Sequence, residues 1–145
     1  MTDGSRSPMR KMVVDRAPSA GDLRIVSEGV LLHGRALAAE GSAQPVACFL
    51  REAGAVIAGA SGRTEYARLF VVYLWVQSAY RRQGFGTRVL QELERAARQD
   101  GCRDSLIETL DDGVAVMYQG LGYAPVAVVR EYVGPFNRHI LVKPL

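Results

Sequence analysis

The chain has 145 residues, 48% of them apolar and 23% charged, a balance that suits one folded domain and excludes a wholly disordered chain or a disulfide-rich miniprotein. No apolar run approaches the ~20 residues of a membrane-spanning helix, and the charged opening MTDGSRSPMRKM has no apolar core behind it, so a soluble, cytoplasmic protein without a signal peptide is expected. The net charge of +3 is concentrated at the start, where Arg6, Arg10, Lys11 and Arg16 outnumber Asp3 and Asp15 by two and leave only +1 for the other residues, so no nucleic-acid partner is expected.

Residues 1–20 are rich in Ser, Pro, Gly, Asp and Arg and read as a flexible tail before a domain spanning 21–145. Met12-Val13-Val14 is its one apolar run, a strand fragment or an oligomer contact, and a homodimer is one expectation. Leu23–Val26 reads as a short first strand. Ser27 then caps a helix over Glu28–Glu40, closed by Gly41. Val46–Arg51 and Ala55–Ala60 form a hairpin around Glu52-Ala53-Gly54, and Ser61–Glu65 reads as a loop. Ala67–Val76, ARLFVVYLWV, is the strongest strand, with a density of apolar residues that suggests burial on both faces.

Gly84–Gln99 is the strongest helix, with Phe85, Val89, Leu90, Leu93, Ala96 and Ala97 at helical spacing and Gly101 as its stop. Ser105–Leu110 is a strand, and Asp111 or Asp112 caps a short helix through Gln119. Val126–Tyr132 and His139–Val142 are the closing strands, joined by Gly134-Pro135-Phe136-Asn137. The order β-α-β-β-β-α-β-α-β-β defines a mixed α/β single domain.

Chemistry concentrates in residues 73–94, where a buried strand leads through a loop to Arg81-Arg82-Gln83-Gly84-Phe85-Gly86-Thr87 at the mouth of the long helix. A first helical turn has unpaired N–H groups and the positive end of the dipole. Glycines there let a phosphate approach the backbone, and two arginines add charge-assisted bonds. The pattern reads as a pyrophosphate cradle. It is not a dinucleotide fingerprint, since Val89 stands at the third glycine position, and it lacks the Gly-Lys-Ser/Thr of a Walker A loop.

Arg81-x-x-Gly84-x-Gly86 before an amphipathic helix resembles the acetyl-CoA pyrophosphate motif of the GNAT N-acetyltransferases. Leu74-Trp75-Val76 is similar to the strand that pairs with the pantetheine arm in that family, and Tyr118-Gln119-Gly120-Leu121-Gly122-Tyr123 resembles its Tyr-x-x-x-Gly-Phe/Tyr block. Asp111 departs from the pattern, standing where many members have an Asn. The resemblance implies a mixed, mostly antiparallel sheet splayed at its central strands, with helices on both faces. It also implies acetyl-CoA as co-substrate, held by Leu74, Trp75, Val76, Arg81, Arg82, Gln83, Gly84, Phe85, Gly86, Thr87, Asp111 and Tyr118. Its acetyl group would pass directly to a primary amine of a small molecule or peptide, with no covalent enzyme intermediate.

Tyr118 is the candidate acid for the departing thiolate, or else an aromatic packed on the cofactor's alkyl arm. Glu108, near the end of a strand bordering the expected notch, is a candidate to accept the ammonium proton, although an exposed strand carboxylate or an arginine partner is its preferred reading. Trp75 is read as a core aromatic, and Asn137 and Arg138 as lining the acceptor pocket. His33 and His139 lack ligand partners at any usual spacing, so no metal is expected, and Cys48 and Cys102 read as reduced, packed thiols. Two other classes stay open: a non-catalytic acyl-CoA-binding or regulatory module of the same fold, and a nucleic-acid binder using the basic tail.

Overall fold

The computed structural model describes residues 9–37 and 42–145. The chain divides into two compact units, Met1–Ala39 and Glu40–Leu145. The first contains helix α1 (Ala20–Leu37). Its cap is Ser19, whose Oγ accepts from the Asp22 amide at 3.0 Å. The expected strand Leu23–Val26 is therefore helix. Ser27 lies inside it, with its hydroxyl donating to the Arg24 carbonyl at 3.0 Å. The expected helix end at Glu40 and stop at Gly41 lie outside the described residues. Met12-Val13-Val14 is exposed and belongs to no strand.

The second unit is a sheet of six strands with two α-helices: β1 (Gln44–Glu52), β2 (Ala55–Glu65), β3 (Arg68–Val76), α2 (Phe85–Gln99), β4 (Asp104–Thr109), α3 (Asp112–Gly120), β5 (Ala124–Val133) and β6 (Phe136–Pro144). Strand order is β1-β2-β3-β4-β6-β5. Only β3 and β4 run parallel, so the expected mixed, mostly antiparallel sheet is observed.

The α2 stripe of Val89, Leu90, Leu93 and Ala97 packs on Ala58, Ala60, Leu69, Val71, Ile107 and Leu141, and Tyr118 of α3 joins the same cluster. Because strand side chains alternate, these sheet residues define one face. Within this unit both helices cover that face. On β3 only Leu69 and Val71 are buried, while Val72 and Tyr73 are exposed, so burial on both faces does not hold.

Ser61–Glu65, expected as a loop, continues β2. Gly62 is required there for a reason other than a turn. A Cβ on it would lie 1.9 Å from the Phe70 carbonyl oxygen of β3. Opposite this contact the register slips, with Ser61 facing Tyr73 and Gly62 facing Val71, so Val72 is an extra residue bulged out of the ladder.

A polar network crosses the core beneath α2. The Glu94 carboxylate, 5% exposed, accepts from the Tyr123 hydroxyl at 2.7 Å and from Lys143 Nζ at 2.7 Å. The Tyr123 oxygen also meets Ser105 Oγ at 2.9 Å. Burial, chiefly, drives the Tyr123 phenol far above its ordinary pKa, so it is a permanent donor to Glu94.

Candidate active site

The parallel pairing of β3 with β4 covers only Arg68↔Asp104 to Val71↔Ile107, whereas β3 stays paired with β2 as far as Val76. On its β4 side the backbone beyond the Val72 bulge therefore has no strand partner among the described residues. This is the expected splay. Arg68 closes the paired end, its Nε and Nη2 donating to the two Asp104 oxygens at 2.6 and 2.8 Å.

The open end leads into a cleft of about 620 Å³ between β3, the start of α2, and α3. The loop into α2 is a turn of 3₁₀ helix, Ser78–Tyr80, held by the Gln77 amide donating to the Ile57 carbonyl at 2.9 Å. Arg81 Nε donates to the Val76 carbonyl at 3.0 Å, tying the loop to the end of β3. The Tyr80 hydroxyl donates to Glu52, which fastens the loop to the β1–β2 hairpin and holds the phenol above its ordinary pKa.

Gly84 caps α2 with φ of 80°, a left-handed conformation that strains any side chain. A Cβ on Gly86 would lie 3.3 Å from Val76 Cγ2, so this glycine sets how closely the helix start approaches β3. With no side-chain cap, the first α2 amides have no hydrogen-bond partner among the described residues; Arg88 is the first to reach back, to the Gly84 carbonyl at 3.1 Å. The cleft thus has an array of free donors at the positive end of a 15-residue helix.

Leu74, Trp75, Val76, Arg81, Arg82, Gly84, Phe85, Gly86, Thr87 and Tyr118 all line this cleft, as the sequence predicts for a binding site. Gln83 does not line it. Nor does Asp111, whose Oδ1 accepts from the Val114 amide at 2.9 Å; it is the N-cap of α3 rather than a cleft residue. Trp75, read as a core aromatic, is 48% exposed and forms a wall of the cleft. Sequence reasoning missed Tyr80, Val114 and Met117. Val114 stands four residues before Tyr118 and shares its face of α3, and that spacing was the available signal for it; Met117, one residue before Tyr118, lies about 100° round the helix and carried no such signal.

The Tyr118 ring is buried, tilted 53° against Tyr123 with centroids 5.9 Å apart. Its hydroxyl has no hydrogen-bond partner among the described residues and is not sealed from solvent, so it opens into the cleft. Burial raises its pKa, which keeps the O–H protonated at neutral pH.

Glu108 lies elsewhere. Ser105 and Ile107 of β4 are buried on the helix face, so Leu106 and Glu108 point to the opposite face. There Glu108 Oε2 accepts from Arg138 Nε at 2.7 Å and also from Nη2. Arg138 Nη1 donates to the Tyr132 hydroxyl at 2.6 Å. These groups border a second cavity of about 530 Å³, lined by Arg63, Phe70, Val71, Val72, Leu106, Glu108 and Arg138. Arg138 thus lines a pocket, while Asn137 accepts from the Glu131 amide at 3.1 Å and lines a separate hollow beside α3.

The Acetyltransferase (GNAT) family profile matches residues 24–123. Blasticidin-S acetyltransferase of Streptomyces morookaense is 35% identical over 95 residues, which span 65% of this chain and 70% of that protein. An acetyltransferase structure from Bacillus cereus ATCC 14579 superposes with a TM-score of 0.86 at 21% identity, over 93% of this chain and 98% of that one. An aminoglycoside 6'-N-acetyltransferase solved with coenzyme A gives a TM-score of 0.61 at 17% identity, over 69% of this chain and 72% of its own. The chain belongs to the GNAT acetyltransferase family. It is an acyltransferase, and its reaction is N-acetyl transfer. The regulatory module and nucleic-acid readings give way to this one.

Proposed function

We propose that the helix-side cleft binds acetyl-CoA and that a primary amine approaches from the opposite face of the splayed sheet. The observation that carries this reading is the continuity of one cleft, from the unpartnered β3 backbone, past the Tyr118 hydroxyl, to the free amides that open α2. The amides of Gly84 to Thr87, with Arg81 and Arg82, suit a pyrophosphate. The free backbone of Leu74–Val76 suits an amide-bearing arm that adds as a strand. Asp111 and Gln83 are left out of this binding set.

The thioester supplies an activated acetyl carbon. A β3 amide in the Leu74–Val76 stretch polarises its carbonyl, and Tyr118 donates its phenolic proton to the departing sulfur. The amine attacks directly, so the enzyme forms no covalent bond. The unpaired thiols of Cys48 and Cys102 suit a reducing, cytoplasmic setting. The profile match from residue 24 supports reading 21–145 as the acetyltransferase domain.

Thermal unfolding tests the reading. Acetyl-CoA and CoA at ~100 Kd should stabilise the protein by about 2.7 kcal/mol, and pantetheine, lacking phosphates, far less. Stabilisation by NAD or ATP with no response to CoA would overturn it.

A further inference from the structure

The cavity on the face opposite the cleft carries information about the acceptor. It opens at the same break in β3–β4 pairing, with Val71 and Val72 in its wall, so it is the other mouth of the notch. Its floor is apolar, from Phe70 and Leu106, and its polar groups are three charged side chains.

Of these three, Arg138 is largely engaged, while Arg63 and Glu108 keep capacity to spare. Arg138 spends Nε and Nη2 on Glu108 and Nη1 on Tyr132, and its guanidinium also lies 4.8 Å from the Tyr132 ring centroid. Arg63 lies over the Phe70 ring, 4.3 Å from its centroid, and donates Nε to Glu65 at 3.1 Å. Stacking leaves the in-plane donors of a guanidinium pointing outward, so Arg63 Nη1 and Nη2 remain as a two-pronged donor with a fixed orientation. On the other side, among the described residues only Oε2 of Glu108 is engaged, and Oε1 remains as an acceptor. One cavity therefore offers one anchored cationic fork and one carboxylate oxygen over an apolar floor.

We infer that the acceptor is a small zwitterionic amine that carries its own carboxylate. Its anionic end is held by Arg63, and its amine lies on the Glu108 side, facing the notch. This rests on the acetyl-transfer reading above and adds the substrate class. A polycationic amine would set a second ammonium against a guanidinium, and an amine without a carboxylate would gain no charge-assisted bond from Arg63 Nη1 and Nη2. In the transfer, the ammonium gives one proton to Glu108 Oε1 or to water, and the freed lone pair forms the N–C bond. The C–S bond breaks, the sulfur leaves with the electron pair and takes the Tyr118 proton, and the second nitrogen proton, released as the amide forms, returns through water to the Tyr118 oxygen.

Matched trios with two, three and four carbons test the inference: the ω-amino acid, its amide, and the diamine, with rates referred to free amine. The best amino acid should exceed its amide and diamine by about tenfold or more in kcat/KM, chiefly through KM, as a charge-assisted contact requires. Arg63→Gln should collapse the acid-to-amide ratio toward one, and Arg63→Lys should restore part of it. Equal or faster turnover of amide or diamine by the wild-type protein overturns the inference, even if the variants do not fold. So does a ratio that survives in folded Arg63→Gln. If CoA raises the Tm but no amine of any trio is acetylated, the acceptor class falls and the cofactor site stands. If CoA has no effect, both fall.

Discussion

The two halves of β3 have similar sequences and opposite tasks. Arg68–Val71 is paired on both edges, clamped to β4 by the Arg68–Asp104 fork, and anchored in the core by Leu69 and Val71. Val72–Val76 keeps only its β2 neighbour and gives its other edge to the cleft. Apolar content does not separate these halves, since LFVVYLWV is uniformly rich in it. The separation comes from one inserted residue opposite one glycine. A strand becomes a binding edge here by losing a neighbour, not by changing composition.

The largest way to break this contrast is at Gly62. Alanine there must displace the Phe70 carbonyl, which lies 1.9 Å from the new Cβ. We expect Gly62→Ala to lose about 3 kcal/mol or more, or to fail to fold, as backbone overpacking does. Chemical denaturation measures it, and a neutral outcome would show that the bulge moves freely. Next comes the chemistry of the open half. Tyr118→Phe keeps the ring against Tyr123 and removes one O–H, so kcat should fall about 10²-fold, with KM for acetyl-CoA little changed. Steady-state kinetics decide it, and an unchanged kcat with a raised KM would make Tyr118 a packing residue.

The smallest effect belongs to the closed half. Hydrogen bonding to Arg68, chiefly, holds the Asp104 carboxyl below its ordinary pKa. Its contribution is therefore fully present above the unfolded carboxyl pKa and is lost as pH falls through the lower folded value. Arg68→Met should cost under about 1 kcal/mol at neutral pH, because both side chains are partly solvated. The Tm gap between variant and wild type should narrow below pH ~4. A gap that widens on acidification would reverse the assignment.

The α2 entrance was legible because its signals agree: the apolar periodicity from Phe85, the two glycines and the two arginines point to one helix start. Gly62 was misread because glycine signals both a turn and a close approach, and only the neighbouring strand distinguishes them. The first helix was misread at Leu23–Val26, a short apolar run of ambiguous period, while Ser19-x-x-Asp22 carried the true start. The orientation of Glu108 was recoverable, since alternation along Ser105-Leu106-Ile107-Glu108 puts it opposite Ile107. An arginine partner was among its expected readings, but which arginine was not, since Arg138 comes from a strand far along the chain. The stacking of Arg63 on Phe70 was not legible, because it depends on the shifted β2–β3 register beside the bulge.

The carboxylate beneath α2 also governs the distant rim. Glu94 lies nine residues beyond Phe85, roughly 13 Å along the axis. Its two oxygens are held from different directions, by Tyr123 and by Lys143 of β6. If α2 rolled about its own axis, a buried carboxylate would lose a partner, at a cost of several kcal/mol. The azimuth of the whole cylinder is therefore locked from below, and the compass bearing of its first amides is set by a contact more than two turns away.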